Sequence, residues 1–386
     1  MLMKKTDEPG CLIPFNALTL GPSGDVLLCC VSSAFPLAHI DDIPDLQKFF
    51  ESEIMNHKRF IQYSDEVRND SACSRCYKNP HKTTWKHREG FKEWYNFGLN
   101  KDLKIKYLEF STSNLCNQNC VMCSPKFSSK WENLAKELSK HGFEYIHYST
   151  NRINDAGIEK IIKLLPHLEV INIKGGEPFA DPTNFRILEE LVSVNDNCRI
   201  EIISNLQNIP DNILHILQKV EKDKLAISAS IDGVDSVYQW IRGSEFGKAV
   251  DTMEKIYLET GHDFGLVPVT SIHNFFTGDE VAKYFIDKPY VRSISYQNPV
   301  RYPYYCDHLY LPQDMYYNKI DDYHKISKID KVTVLESILH PVFFNNVEQH
   351  KYNQIFKYID TMNDIRGINL YDHISELAEV RNRVLQ

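Results

Sequence analysis

The chemistry of this chain starts at Cys116-Asn-Gln-Asn-Cys120-Val-Met-Cys123, three thiols spaced C-x3-C-x2-C on one short segment. Soft thiolates suit iron, and three on one loop can hold three corners of a cubane iron–sulfur cluster. Such a site leaves one iron open to an exogenous ligand. Structural zinc prefers four closed ligands, so an isolated triad fits it poorly. Three cysteines packed as small hydrophobes are a poor alternative, because polar Asn117, Gln118 and Asn119 separate them.

Ten cysteines occur in 386 residues, and eight fall in the first third of the chain. Cys11, Cys29, Cys30, Cys73 and Cys76 form a second group ahead of the triad, while Cys198 and Cys306 stand alone. The N-terminal sequence MLMKKTDEPG lacks the apolar run of a secretory signal, and Val26–Ile40 is too broken to span a bilayer. A cytoplasmic protein with no membrane segment is expected, and clustered cysteines there bind metal or do redox chemistry more often than they form disulfides. Forty-four Lys and Arg against 52 Asp and Glu give a net charge of −8, which disfavours nucleic acid as a partner. Apolar residues at 42 % are enough for a real core, and the length suggests two domains or one large α/β domain with an addition.

The elements that must position these thiols are legible as alternating runs. Strand-like segments fall at about Lys104–Ser111, Leu168–Lys174, Arg199–Ser204, Leu225–Ile231, Phe264–Ile272 and Val291–Gln297. Helical patterns lie between them at Lys126–His141, Asn154–Leu165, Pro182–Asn195, Asp211–Val220, Phe246–Thr260 and Gly278–Asp287. The first strand runs into the cysteine triad. The second closes with Lys174-Gly175-Gly176-Glu177-Pro178, where glycines let the backbone approach a ligand. The third ends in Ser204-Asn205. The fourth reads Ser228-Ala-Ser230-Ile-Asp232-Gly233 and is followed by Arg242.

The triad, its place after an apolar strand and the Gly-Gly-Glu-Pro turn together resemble the radical S-adenosylmethionine (SAM) enzymes. The resemblance implies an α/β fold, a partial (βα)6 TIM-like barrel, with chemistry at the C-terminal strand ends. It implies that Cys116, Cys120 and Cys123 bind a [4Fe-4S] cluster whose fourth iron SAM chelates. It further implies that Gly175, Gly176 and Glu177 receive the methionyl ammonium of SAM. Ser204, Ser230 and Arg242 would contact its ribose and carboxylate, the last through a bidentate fork. Capping or turn roles are the competing readings for these serines and for Asp232.

Ahead of the barrel, Cys11, Gly24 and Cys29 follow the spacing C-x12-G-x4-C, with Pro-Ser-Gly-Asp as hairpin turn chemistry, and Cys73-Ser-Arg-Cys76 adds a C-x2-C pair. This resembles the opening half of the auxiliary-cluster domains called SPASM and twitch, and implies that Cys11, Cys29, Cys73 and Cys76 hold an auxiliary [4Fe-4S] cluster. Cys30 is the alternative to Cys29, since neighbours on a strand face opposite ways. Zinc is the alternative metal. Two departures stand out: such domains usually follow the barrel, and five cysteines support one cluster rather than two.

Lys78, His81, Lys82, Lys86, His87 and Arg88 precede the aromatics Phe91, Trp94 and Tyr95, a run read as a solvated helix face bridging two domains rather than a substrate-steering patch. The last region is Tyr-rich and then helical, at Pro312–Lys325, Phe344–Asn363 and Leu370–Val384, as capping helices. Cys306 just beyond the sixth strand is a candidate hydrogen-atom donor, with inert packing the favoured alternative; Cys198 is read as packing. The expected layout is an auxiliary domain with a bridging helix over 1–103, the barrel over 104–300 and a helical region over 301–386. The resemblance implies a modifying enzyme of oxidoreductase type. It would cleave SAM reductively to a 5′-deoxyadenosyl radical, with a flavodoxin or ferredoxin as electron donor. A ribosomal peptide is the expected substrate, undergoing crosslinking, thioether formation, oxidation or epimerisation. The alternatives are dehydrogenation, epimerisation or rearrangement of a small molecule (a sugar, aminocyclitol or amino acid), and a non-catalytic iron–sulfur or zinc redox sensor.

Overall fold

The computed structural model describes residues 8–78, 91–92, 95–145, 151–344 and 347–386. The basic run from His81 to Arg88 and Trp94 lie outside the described residues. The chain is α/β, with a mostly parallel sheet, and forms two compact units. No described helix is long and apolar enough to cross a membrane.

The first unit comprises Met1–Leu115, Thr150–Ile203 and Asp211–Ala226. Its strands are β1 (Ala17–Leu20), β2 (Asp25–Leu27), β3 (Ala38–His39), β4 (Tyr107–Phe110), β5 (Val170–Ile173) and β6 (Arg199–Ser204), the last residue of β6 belonging to the other unit. Their lateral order is β3-β2-β1-β4-β5-β6. β1 and β2 make the expected antiparallel hairpin, turned at Gly24 with φ of +92°. β1 also pairs in parallel with β4, so the N-terminal hairpin extends the same sheet.

Register explains the two faces of this sheet. Leu18, Leu108, Ile171 and Ile200 align on one face and are all buried, as a parallel sheet covered by helices requires. The other face starts apolar, where Ala17, Tyr107 and Val170 pack with Phe91 and Phe97. One step along the strands it turns polar: Thr19, Glu109, Asn172 and Glu201 are aligned cross-strand neighbours.

The second unit comprises Cys116–Ser149, Ser204–Pro210 and Ile227–Gln386. Here β7 (Leu225–Ala229), β8 (Phe264–Leu266), β10 (Val291–Tyr296) and β12 (Val332–Val334) pair side by side in parallel, the first two residues of β7 belonging to the other unit. β9 (Val269–Thr270) and β11 (Asn298–Pro299) form a separate parallel pair. The single run expected over Phe264–Ile272 divides into β8 and β9 at Pro268, which has no N–H to give a ladder. The C-terminal region is helical at Gln313–Ile326, Gln349–Arg366 and Ser375–Val384, but also supplies β12, a strand too short to stand out in the sequence. Helix Phe246–Thr260 shows why the elements form: Phe246, Ala249, Met253 and Ile256 make one buried stripe, and Gly261 at φ of +73° ends it.

Candidate active site

In the second unit the triad loop is fixed by its own polar residues. Gln118 is buried and donates to Ser244 Oγ at 2.6 Å and Tyr238 Oη at 3.1 Å. Its carbonyl accepts from Ser128 Oγ at 2.6 Å. Trp131 Nε1 donates to the Cys120 carbonyl at 2.8 Å, and Val121 N to the Ile241 carbonyl at 2.9 Å. Asn205 donates to Asn117 Oδ1 at 2.7 Å. The polar spacers that excluded a core segment are thus the groups that hold the loop in shape.

Arg242 is nearly buried, ion-paired to the fully buried Asp232 at 2.5 Å, and its Nη1 lies 3.7 Å from Cys120 Sγ. Burial opposes its charge, but Asp232 and Cys120 outweigh that and hold its pKa above the usual guanidinium value. Burial also pushes the Cys120 and Cys123 thiols up. Thiols that resist ionisation on their own need a cation to become ligands, so this donor set fits a bound cluster. Ser204 Oγ accepts from Leu206 N at 3.0 Å, a turn-capping contact, and its carbonyl accepts from Ser230 N at 2.9 Å. Three thiols, Arg242, Asp232, Ser204 and Ser230 therefore share one unit.

The Gly-Gly-Glu turn belongs to the first unit. Gly175 and Gly176 have φ of +77° and +49°, and a Cβ would collide with Ser111 at the first and the Leu115 carbonyl at the second. Glu177 N donates to that same carbonyl at 2.7 Å, and its Oε1 accepts from Phe179 N at 3.1 Å. Leu115 directly precedes Cys116 in the chain, so the turn is seated on the residue where the triad loop begins.

Also in the first unit, Cys11, Cys29, Cys73 and Cys76 line one cavity with Ile13, Pro14, Leu28 and Ala72. Burial, with Cys30, Cys11 and Cys76 nearby, pushes the Cys29 thiol well up, and burial raises Cys73 to about 12. Gln62 Nε2 lies 3.5 Å from Cys73 Sγ. Cys30 is not among the lining residues; its thiol is raised to about 12 by burial and by Glu109, with Lys174 opposing. Among the described residues no three His, Cys, Asp or Glu side chains converge as one metal ion would need.

Two family models match the chain. The radical SAM superfamily model matches residues 110–277, and SPASM, an iron–sulfur cluster-binding domain, matches residues 11–77. The chain carries a radical SAM domain and, ahead of it, a SPASM domain. Its cofactors are a [4Fe-4S] cluster, SAM and an auxiliary iron–sulfur cluster in the SPASM domain. No curated protein matches it. Among solved structures, native anSMEcpe with bound AdoMet is 18 % identical over 62 % of this chain and 67 % of its own, with a TM-score of 0.40. SuiB of Streptococcus suis bound to S-adenosylmethionine is 16 % identical over 78 % of this chain and 65 % of its own, at 0.44. A radical SAM methyltransferase from Sphaerobacter thermophilus is 13 % identical over 48 % and 54 %, at 0.32. The chain thus spans about two thirds or less of the length of these proteins.

The two isolated cysteines sit apart from solvent. Cys306 is fully buried, 3.9 Å from the Val121 carbonyl, and burial holds its thiol well above the usual range. Cys198 is buried beside the Arg199 carbonyl. Two features escaped the sequence reading. One is the polar row of the first unit, where Lys174 Nζ pairs with Glu109 at 2.6 Å, and Tyr95 Oη and Asn172 Nδ2 donate to Glu201 at 2.7 and 3.1 Å. Its only signal was a lone polar residue in each apolar strand. The other is Arg366, for which the sequence holds no signal.

Proposed function

We propose that the chain is an enzyme that cleaves SAM reductively and modifies a ribosomal peptide by crosslinking, thioether formation, oxidation or epimerisation. The observation carrying this reading is the triad loop itself, fixed by Gln118 and Trp131, with Arg242 Nη1 at 3.7 Å from Cys120 Sγ. When bound, the cluster and SAM supply the hard chemistry, a 5′-deoxyadenosyl radical generated with one electron from a flavodoxin- or ferredoxin-type donor.

The chain's own residues bind and orient. Cys116, Cys120 and Cys123 hold the cluster. The left-handed Gly175 and Gly176 keep the backbone bare where SAM approaches, and Glu177 accepts from its ammonium. Ser204 and Ser230 contact the ribose. Arg242, with Nε taken by Asp232, offers its remaining N–H groups to the SAM carboxylate. Cys11, Cys29, Cys73 and Cys76 hold the auxiliary cluster. The working division is 1–103, 104–300 and 301–386, in a cytoplasmic protein.

A peptide substrate follows from the resemblance to twitch and SPASM relatives that modify ribosomal peptides. It gains support from Asn172, whose Oδ1 is buried with no donor among the described residues, beside Lys174 and Glu201. An amide N–H supplies the missing donor. Cys306 is kept as a candidate hydrogen-atom donor; a Cys306→Ala variant with unchanged turnover and product removes it from the mechanism.

The test is anaerobic reconstitution, then reduction with SAM. Two cubanes predict about eight irons per chain together with 5′-deoxyadenosine. Absence of 5′-deoxyadenosine at that loading overturns the enzyme reading, and about four irons refutes only the auxiliary cluster. A peptide substrate is expected to raise 5′-deoxyadenosine formation and change mass. A sugar, aminocyclitol or amino acid doing so instead moves the assignment to a small-molecule reaction.

A further inference from the structure

The helix Gln349–Arg366 lies beyond the segment that the radical SAM model matches, yet it grips the triad loop. Its last residue, Arg366, spends three N–H groups on that region. Nη1 donates to Asn119 Oδ1 at 2.8 Å, Nη2 to the Asn119 carbonyl at 2.7 Å, and Nε to the Trp240 carbonyl at 3.1 Å. About two turns earlier, Tyr358 Oη donates to the Val121 carbonyl at 2.8 Å. The residues on either side of Cys120 are thus both held by one helix. Gly243 completes the fit, because a Cβ there would collide with Asn119 Oδ1 and the Arg366 guanidinium.

Charge separates the two arginines near Cys120. Arg242 is neutralised by Asp232. Arg366 is half-buried and has no carboxylate within ion-pair distance among the described residues. A partly desolvated cation without an anion is unfavourable, so such a group points to a counter-charge that the polypeptide alone does not supply. A cluster held by three thiolates is that anion.

We propose that Arg366 is a positioning residue for the cluster loop and a counter-charge to the cluster, which makes the C-terminal helix part of the cofactor site. This rests on Cys116, Cys120 and Cys123 being the cluster ligands. Reduction adds negative charge to the cluster, and a fixed cation beside it favours the reduced form. The fork sets the shape of the loop, which the charge alone does not.

The test compares wild type, Arg366→Gln and Arg366→Lys, each as the reconstituted full chain. It reads iron content, the electron paramagnetic resonance spectrum of the reduced cluster with and without SAM, and the midpoint potential of the SAM-responsive signal. Arg366→Gln is expected to shift that midpoint to more negative values. Arg366→Lys is expected to keep it near wild type while altering the line shape, because Lys retains the charge and loses the fork. An Arg366→Gln chain with wild-type midpoint and line shape overturns the proposal. If Arg366→Gln takes up no iron in the loop, Arg366→Lys decides: an altered line shape supports the fork, and a spectrum identical to wild type refutes it. A wild-type chain with no SAM-responsive signal overturns the ligand reading of the triad instead.

Discussion

The triad loop and the SPASM cavity hold cysteines by different means. Around Cys116–Cys123, side chains of Asn205, Tyr238, Trp131, Ser128 and Arg366 bond the loop's amides and carbonyls, so its shape is held by directional bonds. The SPASM thiols come from three separate stretches of chain, and Ile13, Pro14, Leu28 and Ala72 wall them. Gln62 reaches one thiol. Apolar packing is nondirectional, so it brings four thiols together without fixing their angles. On the proposed ligand assignment, the first site has directional support and three thiols, leaving an iron for chemistry. The second would have a full set of four with less directional support, the pattern of a cluster that also ties a small domain together.

The sharpest way to break this comparison is to remove one ligand from each. Cys120→Ser is expected to abolish 5′-deoxyadenosine formation, measured with SAM and excess reductant, while the auxiliary cluster stays. Cys76→Ser is expected to lower iron from about eight to about four per chain and leave residual, uncoupled SAM cleavage. Stripping iron anaerobically should expose the SPASM segment to proteolysis between residues 11 and 77 before it exposes the triad loop. Equal loss of cleavage in both variants, or first cuts within 116–123, would sink the distinction.

The next effect is on stability. Asp232 is fully buried, bonds Arg242 at 2.5 Å, and its Oδ1 accepts from Val269 N at 2.8 Å. Asp232→Asn leaves Arg242 buried without its anion, which costs about 3–5 kcal/mol when a buried pair is broken from one side. Denaturant melts of the apo chain measure it. Breaking Lys58–Asp70 in the N-terminal domain, also 2.5 Å but with its carboxylate partly open to water, should cost less.

How much of this was legible depends on distance along the chain. The triad is local, so spacing alone exposes it. The auxiliary set is semi-local, and the pattern carries Cys11, Cys29, Cys73 and Cys76, but choosing Cys29 over Cys30 needs to know which thiol turns to the cavity. The six strands of the central pattern are apolar runs long enough to read, whereas β12 is three residues embedded among helices. Glu109, Asn172 and Glu201 look like isolated polar interruptions until register aligns them. The link between Arg366 and Asn119 spans 247 residues, and no local pattern encodes it.

A last expected effect is on pH dependence, and it bears on the polar side of the comparison. His273 is fully buried against Trp240, whose carbonyl accepts from Arg366, and burial lowers its pKa to about 3. Above its ordinary value of about 6.5 it is neutral in both folded and unfolded chains, so its contribution is intact there. As pH falls below that, the unfolded chain binds a proton that the folded one refuses until about 3, and stability drops about 1.4 kcal/mol per pH unit. Burial depresses His308 in the same direction, so the two histidines add. Melting temperatures of the apo chain between pH 5 and 7.5 should therefore fall with acid, and His273→Phe should flatten the slope by about half. An unaltered slope would mean that the packing behind the triad loop is not the acid-sensitive part of the fold.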